Sequence, residues 1–403
     1  MSDPSFPMPR VDPLDIPPQL TALAARGPVN RVRLWDGSPA WIVTEWQWAR
    51  SVLADNRFSA DVSRPGYPHV RPGFRGTRVA SAVGGAGGAT LLRMDPPAHD
   101  VLRRMLTGFF TVRRAAAMRP MVESHTDACL DAVAAAGPPT DLIAALAVPL
   151  PSLVLCEVLG VPVADRAHFE ELSAALVAAN ATQRQLINTL RGLVDYLEKL
   201  VTAMEADPGE DVLSLLIRDQ VNSGRLSHAD LLGTARVLLT AGHETSASML
   251  GLSLATLLHN RTAWESLRSA PETVPDAVEE LLRFHTIVQT GLCRVATEDV
   301  AVGEQVIRAG EGVIVSIEAA NRDPEVFKHA DALRLDRADR RHLSFGFGVH
   351  QCLGQALARL ELEVAIVRTQ RRFPDLRVAD GDRRLEFAHD RIIHGVERLE
   401  VMW

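Results

Sequence analysis

Apolar residues recur at three- and four-residue spacing over 98–106, 115–136, 142–159, 184–206 and 231–259, which predicts a helix in each window. A further helix is expected over 355–369, where Leu357, Leu360, Leu362, Ile366 and Val367 carry the apolar face. Short β-type runs lie at 29–34 and 40–43 near the start, and at 300–302, 312–316, 385–387 and 395–401 late in the chain. Helices outnumber strands, and the strands gather at the two ends. The pattern implies a mainly α fold with a minor β part.

Two stretches follow neither period. Residues 61–90 are rich in Gly, Pro and Arg and include Gly84-Gly85-Ala86-Gly87-Gly88. A loop of that length is either a lid over a site or a disordered segment. Residues 322–343 are polar and repeatedly charged, and they run straight into a segment of glycine, aromatic residues and one cysteine.

Composition narrows the classes. The 403 residues contain no linker-like stretch, so a single domain over 1–403 is expected, as one body or as two lobes sharing a core. A net charge of −7 argues against nucleic acid as the main partner. No run of about 20 apolar residues exists to span a membrane. Asp3, Pro4, Pro7, Pro9 and Asp12 do not form a secretory leader, so a cytoplasmic, membrane-free protein is expected. Cys129, Cys156, Cys293 and Cys352 lie far apart without zinc spacing and are expected as free thiols. Three of them suit small apolar packing positions.

Cys352 is different. Gly346, Gly348 and Gly354 surround it with Phe345 and Phe347 interleaved, and the helix over 355–369 begins just beyond. Glycine lets a planar group approach the backbone closely. A helix N-terminus supplies N–H groups and positive potential that favour a thiolate able to bind a soft metal or haem iron. A second unusual feature lies in the helix over 231–259, where Gly242, Glu244 and Thr245 interrupt an apolar run. Gly242 weakens the helix locally and Thr245 can bond back one turn, which together would open a groove beside a ligand. Glu244 reads equally as a solvated acid pointing outward.

The run Phe345-Gly346-Phe347-Gly348-Val349-His350-Gln351-Cys352-Leu353-Gly354 matches each fixed position of Phe-Gly-x-Gly-x-His/Arg-x-Cys-x-Gly. The chain thereby resembles the cytochrome P-450 superfamily, and further matches extend from about Asp12 to Trp403. The resemblance implies the cytochrome P-450 fold, a helical body around a buried haem with small β-sheets. It also implies haem b, with Cys352 as the iron ligand in the 345–354 loop and thiolate electron donation favouring O–O cleavage. Ala241-Gly242-His243-Glu244-Thr245 is similar to the family's oxygen-activation motif, implying that Thr245 bonds activated dioxygen while Glu244 relays protons. Ala241, Phe345, Gly346 and Gly354 would border the haem.

Read alone, Glu280 and Arg283 make an exposed pair worth about 0.3 kcal/mol. The resemblance instead makes them the family's Glu-x-x-Arg, bonded to the loop before the cysteine, with Arg337 as a third, structural member. His99 and Arg103 follow Asp95-Pro96-Pro97 on one helix face, and with Arg294 and His350 they match the family's propionate partners. Asn321-Arg322-Asp323-Pro324 resembles a family turn with a structural role. Cys293 departs from the pattern, standing where related sequences usually have arginine. The 36–41 stretch is similar to fungal nitric-oxide reductases.

The group most resembled is the actinobacterial, ferredoxin-dependent (class I) monooxygenases. This implies insertion of one oxygen atom from O2 into a C–H bond of a lipophilic small molecule. Electrons would come from NAD(P)H through a ferredoxin reductase and a ferredoxin, since no flavin or ferredoxin domain fits in 403 residues beside this one. A monomer is expected. Arg104, Arg113, Arg114, Arg340, Arg341 and Arg359 are candidates for a basic docking face. By family position, substrate contacts would come from Val83 in the glycine-rich loop, Leu238, Ile287, Val288, Gln289, Ile392 and Ile393. The rival readings are a nitric-oxide reductase-like or peroxide-driven haem-thiolate enzyme, and a non-catalytic haem sensor. Those enzymes lack the acid–alcohol pair, and a sensor has little use for it.

Overall fold

The computed structural model describes residues 3–71, 90–178, 181–379, 385–387 and 391–403. Val83 and most of the 61–90 segment expected as a lid lie outside the described residues. The helical body is built from α1 (Trp46–Ala54), α2 (Ala98–Thr107), α3 (Arg119–Ala136), α4 (Pro149–Leu159), α5 (Arg166–Val177), α6 (Gln183–Ala206), α7 (His228–His259), α8 (Val274–His285) and α9 (Gln355–Arg372). None of the described helices is long and apolar enough to cross a membrane.

Helix α7 is the axis, and its sequence says why. From Met249 to Leu258 every side chain is buried, so this stretch has no solvent face and must be packed on all sides. Helices α4, α5, α6, α8 and α9 surround it. The hydroxyls this burial would strand are satisfied nearby: Ser253 donates to the Met249 carbonyl at 2.7 Å, and Thr256 pairs with His285 Nε2 at 2.9 Å.

Proline corrects two of the expected helices. The 115–136 window divides into a short helix, Val112–Ala117, and α3, with Pro120 in the first turn of α3. Proline lacks the N–H that a helix interior needs and is tolerated in a first turn. Likewise the 142–159 window becomes a wide turn over Ile143–Ala147 and then α4, which starts on Pro149.

Strands β1 (Val29–Arg33), β2 (Pro39–Val43), β3 (Phe58–Ser59), β4 (Leu292–Ala296) and β5 (Gly312–Val315) form one sheet in the order β1-β2-β5-β4-β3. Only the β2–β5 pair is parallel. The apolar run at 395–401 breaks into Val396–Arg398 and Glu400–Met402. Strand β4 escapes the periodic reading because Cys293 and Arg294 interrupt its apolar residues. Its alternation has a consequence for the site. Cys293 packs against the apolar cluster of Val32, Ile42 and Ile314, while the next residue, Arg294, projects from the opposite face. Cys129 and Cys156 are buried in the main helical core.

The turn at 321–324 joins the sheet lobe to the helical body. Asn321 is fully buried; it donates to Thr286 Oγ1 at 2.7 Å and Ser344 Oγ at 2.9 Å, and accepts from Leu343 N at 2.7 Å. Asp323 accepts from Trp46 N and from Glu325 N, each at 2.9 Å, thereby capping α1 from a distant part of the chain. Asp323→Ala is expected to cost about 1–2 kcal/mol of stability, the usual range for a lost cap, read as a lower denaturant midpoint with unchanged slope.

Candidate active site

The Cys352 loop closes on itself by backbone bonds. Cys352 N donates to the Phe345 carbonyl at 2.8 Å, Gly346 N to Leu343 at 2.7 Å and Gln351 N to Gly348 at 3.0 Å. Gly348 has φ +73°, and a Cβ there would sit 2.3 Å from the Leu53 carbonyl oxygen. Only glycine allows the loop to rest on the C-terminal end of α1. Helix α9 starts at Gln355, so Cys352 stands just before its N-terminus.

Burial pushes the Cys352 thiol up. The Gly354 N–H, the Arg103 and Arg359 guanidinium groups and the Gln355 N–H pull the other way. Sequence reasoning anticipated the helix N-terminus but not the larger effect of burial. A metal ion bound to the sulfur would have to supply the remaining stabilisation of the thiolate.

The loop is anchored by buried charge. Arg283 Nε and Nη2 donate to the two Glu280 carboxylate oxygens at 2.7 and 2.8 Å, and both side chains are 1% exposed. Arg337 Nε adds a bond to Glu280 at 2.8 Å. The remaining guanidinium hydrogens go to backbone carbonyls: Arg283 to Asn321, Ala330 and Ala332, and Arg337 to Lys328, His329 and Ala332. This is no exposed helical pair. The irregular 322–343 segment is folded around these two arginines, and its carbonyls, lacking a helix or sheet, find their donors there.

Beside Cys352 lies a concentration of basic groups. The His99 and His350 rings are 4.5 Å apart. Burial, with Arg294, His99 and Arg103 adding to it, lowers His350 to about 3, so the ring is neutral near pH 7. Arg294 is 7% exposed and bonds its neighbour's carbonyl, Cys293 O, at 2.8 Å. Burial lowers Arg103, with Cys352 opposing the shift. His99 Nδ1 meets Asp100 Oδ1 at 2.9 Å, but His99 Nε2 is buried without a hydrogen-bond partner. A buried orphan nitrogen amid converging cations is costly unless an anion is bound there. Gly354 gives a second sign: a Cβ there would meet no protein atom within 4 Å. Packing within the protein does not demand glycine at 354, whereas a planar group lying against the loop would. The residues therefore fit a haem, whose propionates would meet His99, Arg103, Arg294 and His350 and whose face would meet Phe345, Gly346 and Ala241.

The acid–alcohol pair lies on an unbroken α7. Gly242 opens no gap; it accommodates Leu155 of α4, whose methyls would be 3.0–3.1 Å from a Cβ. Thr245 Oγ1 donates to the Ala241 carbonyl at 2.6 Å, and Ala241 is exposed in mid-helix. Glu244 does not point to solvent: it is 4% exposed, 3.6 Å from His243 Nδ1 and 3.5 Å from Arg391 Nη1.

Of the candidate substrate residues, Ile287, Val288, Ile392 and Ile393 lie on two segments that the structure brings together. Ile393 bridges to Val288, His394 N donates to the Ile287 carbonyl at 2.8 Å, and Ile392 N donates to Val177 at the end of α5 at 3.1 Å. The Gln289 side chain accepts from Arg10 at 3.4 Å. Leu238 is half-buried on α7, one turn before Ala241.

Three further acids have buried or bonded settings that spacing does not reveal. Asp95 accepts from Ala60 N at 2.8 Å and from the Ser59 hydroxyl, fixing the strand that leads to the basic cluster. Glu279 is held at about 2 despite burial, because His342 and Arg359 donate to it. Glu361, on α9, is pushed up to about 8 by burial, with the Ser246 hydroxyl opposing. A lone acid in an amphipathic helix carries no sequence signal of such burial.

The chain matches the family model described as Cytochrome P450 over residues 175–387. It is 44% identical over 391 residues, 97% of this chain and 94% of the relative, to Cytochrome P450-SU2 of Streptomyces griseolus. It is 42% identical over 401 residues, 99% of this chain and 97% of the relative, to the Vitamin D3 dihydroxylase of the same organism. The crystal structure of mycinamicin VIII C21 methyl hydroxylase from Micromonospora griseorubida, bound to mycinamicin VIII, matches with a TM-score of 0.91 at 38% identity. That match covers 99% of this chain and 100% of the other.

Glu280→Ala would leave two buried guanidinium groups uncompensated and is expected to cost about 3–5 kcal/mol. Purified protein should show a lower melting temperature together with reduced haem content; a normal melting temperature with full haem would contradict the anchoring role.

Proposed function

We propose, on the premise that this chain belongs to the cytochrome P450 family, that it is a ferredoxin-dependent monooxygenase hydroxylating a bulky lipophilic small molecule. The observation that carries the reading is the meeting of Cys352 with His99, Arg103, Arg294 and His350. Haem b would suit this donor set, with Cys352 as ligand to its iron and His99, Arg103, Arg294 and His350 against its two propionates, and when bound it would supply the dioxygen chemistry.

The protein's own contribution is position and proton traffic. Cys352 Sγ, held by the Gly354 and Gln355 N–H groups, would be the ligand to the haem iron. Neutral His350 can donate an N–H to a propionate, while Arg103 and Arg294 provide charge. Thr245 gives its proton to the Ala241 carbonyl, so the lone pairs of its Oγ1 accept hydrogen bonds from the reacting side of the pocket. Glu244, one residue earlier, can take a proton from solvent and pass it inward. Ile287, Val288, Ile392 and Ile393 give the substrate side an apolar lining. Relatives named for vitamin D3 and mycinamicin VIII support a large, mainly apolar substrate.

The docking face contracts on inspection. Arg359 is bound to Glu279, Arg340 to Asp276 and Arg341 to Asp339. Arg104, Arg113 and Arg114 are exposed with no ion pair among the described residues, and Val112 beside them is 78% exposed. An acidic ferredoxin would meet this group through charge around an apolar anchor.

The reduced protein with carbon monoxide should show its Soret band at the thiolate position; a band elsewhere would sink the assignment of Cys352. Given a surrogate ferredoxin system, Thr245→Ala should release more peroxide per NAD(P)H, on the order of tenfold in coupling. Unchanged coupling would favour reductive or peroxide-driven chemistry instead. For the docking face, Arg113→Glu combined with Arg114→Glu should slow ferredoxin-driven reduction about tenfold at low salt and flatten its ionic-strength dependence.

A further inference from the structure

Glu244 is a buried carboxylate in the long apolar helix α7, and the cation that meets it comes from far away in the chain. Of its two near neighbours, burial keeps the His243 imidazole toward its neutral form, with Glu244 and Glu170 opposing that shift and Arg166 adding to it. Arg391 therefore supplies the full positive charge near Glu244 among the described residues, 3.5 Å from Oε2. Its side chain is 38% exposed while that of Glu244 is 6% exposed, so the pair runs from solvent to the acid.

The backbone that carries Arg391 is tied to the walls of the substrate region. Arg391 itself bridges to Ala178, Ile392 N bonds Val177, Ile393 bridges to Val288 and His394 N bonds Ile287. Gly395 then presses against α7 one turn beyond Glu244: a Cβ there would lie 2.9 Å from Ser248 Oγ and 3.2 Å from its Cβ. Five consecutive residues thus reach the end of α5, the segment after α8, and α7. The contrast with Glu280 is informative. That acid is gripped by four bonds of 2.7–2.8 Å out of reach of water, as suits a fixed anchor. The Glu244–Arg391 pair is longer and open at one end, which leaves the carboxylate free to turn.

We propose that Arg391 is a positioning residue for Glu244, keeping the carboxylate turned to the solvent side, and so linking proton uptake to the segment that borders the substrate. The role rests on the monooxygenase reading above. Only a proton moves: Glu244 gives one toward Thr245 and recovers one from water beside Arg391. Without the guanidinium the buried carboxylate loses its counter-charge and must seek another partner.

The test uses the haem-loaded enzyme with a surrogate ferredoxin, its reductase and NADPH, without added substrate. NADPH oxidation is followed in H2O and D2O for Arg391→Gln, Arg391→Lys, Glu244→Gln and Thr245→Ala. Arg391→Gln should slow oxidation roughly threefold or more and raise the solvent isotope effect, and Arg391→Lys should recover most of the loss. Independently of turnover, Glu244→Gln should speed amide hydrogen exchange in the peptide covering 391–399. If Glu244→Gln is impaired while Arg391→Gln matches wild type in rate, isotope effect and exchange, the positioning role is overturned and the relay stands. If Glu244→Gln and Thr245→Ala both behave as wild type, the relay reading itself falls, and this role falls with it.

Discussion

A single carboxylate, Glu280, pairs with two guanidinium groups where water does not reach, and the geometry of the Cys352 loop depends on it. Arg283 and Arg337 spend their other hydrogens on carbonyls of residues 321–332, a stretch with no regular secondary structure of its own. A buried charge that is fully paired and fully bonded has one low-energy arrangement, because any displacement strands several polar groups at once. The stretch is thereby held, and through Asn321, Leu343 and Ser344 the hold passes to the segment entering Phe345 and Cys352.

Around Cys352 the electrostatics are set by burial as much as by partners. The thiol, His350, Arg103 and Arg294 are all driven toward their neutral forms by desolvation. Such a site is costly as an isolated protein feature and suits an occupant carrying both a metal cation and carboxylates. The opposite wall follows a different rule. Thr245 and Glu244 are polar intrusions in an apolar helix, and each finds a partner: a carbonyl one turn back for the alcohol, and a remote arginine for the acid. The cluster around Cys352 is closely packed and basic, whereas the acid of α7 is held by one longer ion pair whose arginine reaches solvent.

Much of this was legible beforehand. Helices α2, α6, α7 and α9 are long or strongly periodic, and 3.6-residue spacing reports which face is buried. The Cys352 segment announces itself because three glycines and two aromatic residues around one cysteine are hard to explain by packing. Proline punctuation was underweighted at Pro120 and Pro149, where the apolar pattern continues across a break that the missing N–H enforces. Strand β4 is hidden because Cys293 and Arg294 interrupt its apolar residues. Glu280 and Arg283 looked exposed from spacing alone, since i,i+3 pairs on helix surfaces are common and burial leaves no local mark.

The sequence by itself determined the helical periods, the glycine-framed cysteine and the acid–alcohol pair, since each is a property of residues close together along the chain. Tertiary structure alone decided what those residues face. It buried the Glu280–Arg283 pair, bound three of six candidate docking arginines to acids, two of them remote in sequence, and brought Arg391 to Glu244. The reason is physical. Spacing fixes which side of an element a residue occupies, but the charge and solvent access it meets come from elements remote in sequence. These interactions are strong only where burial excludes water.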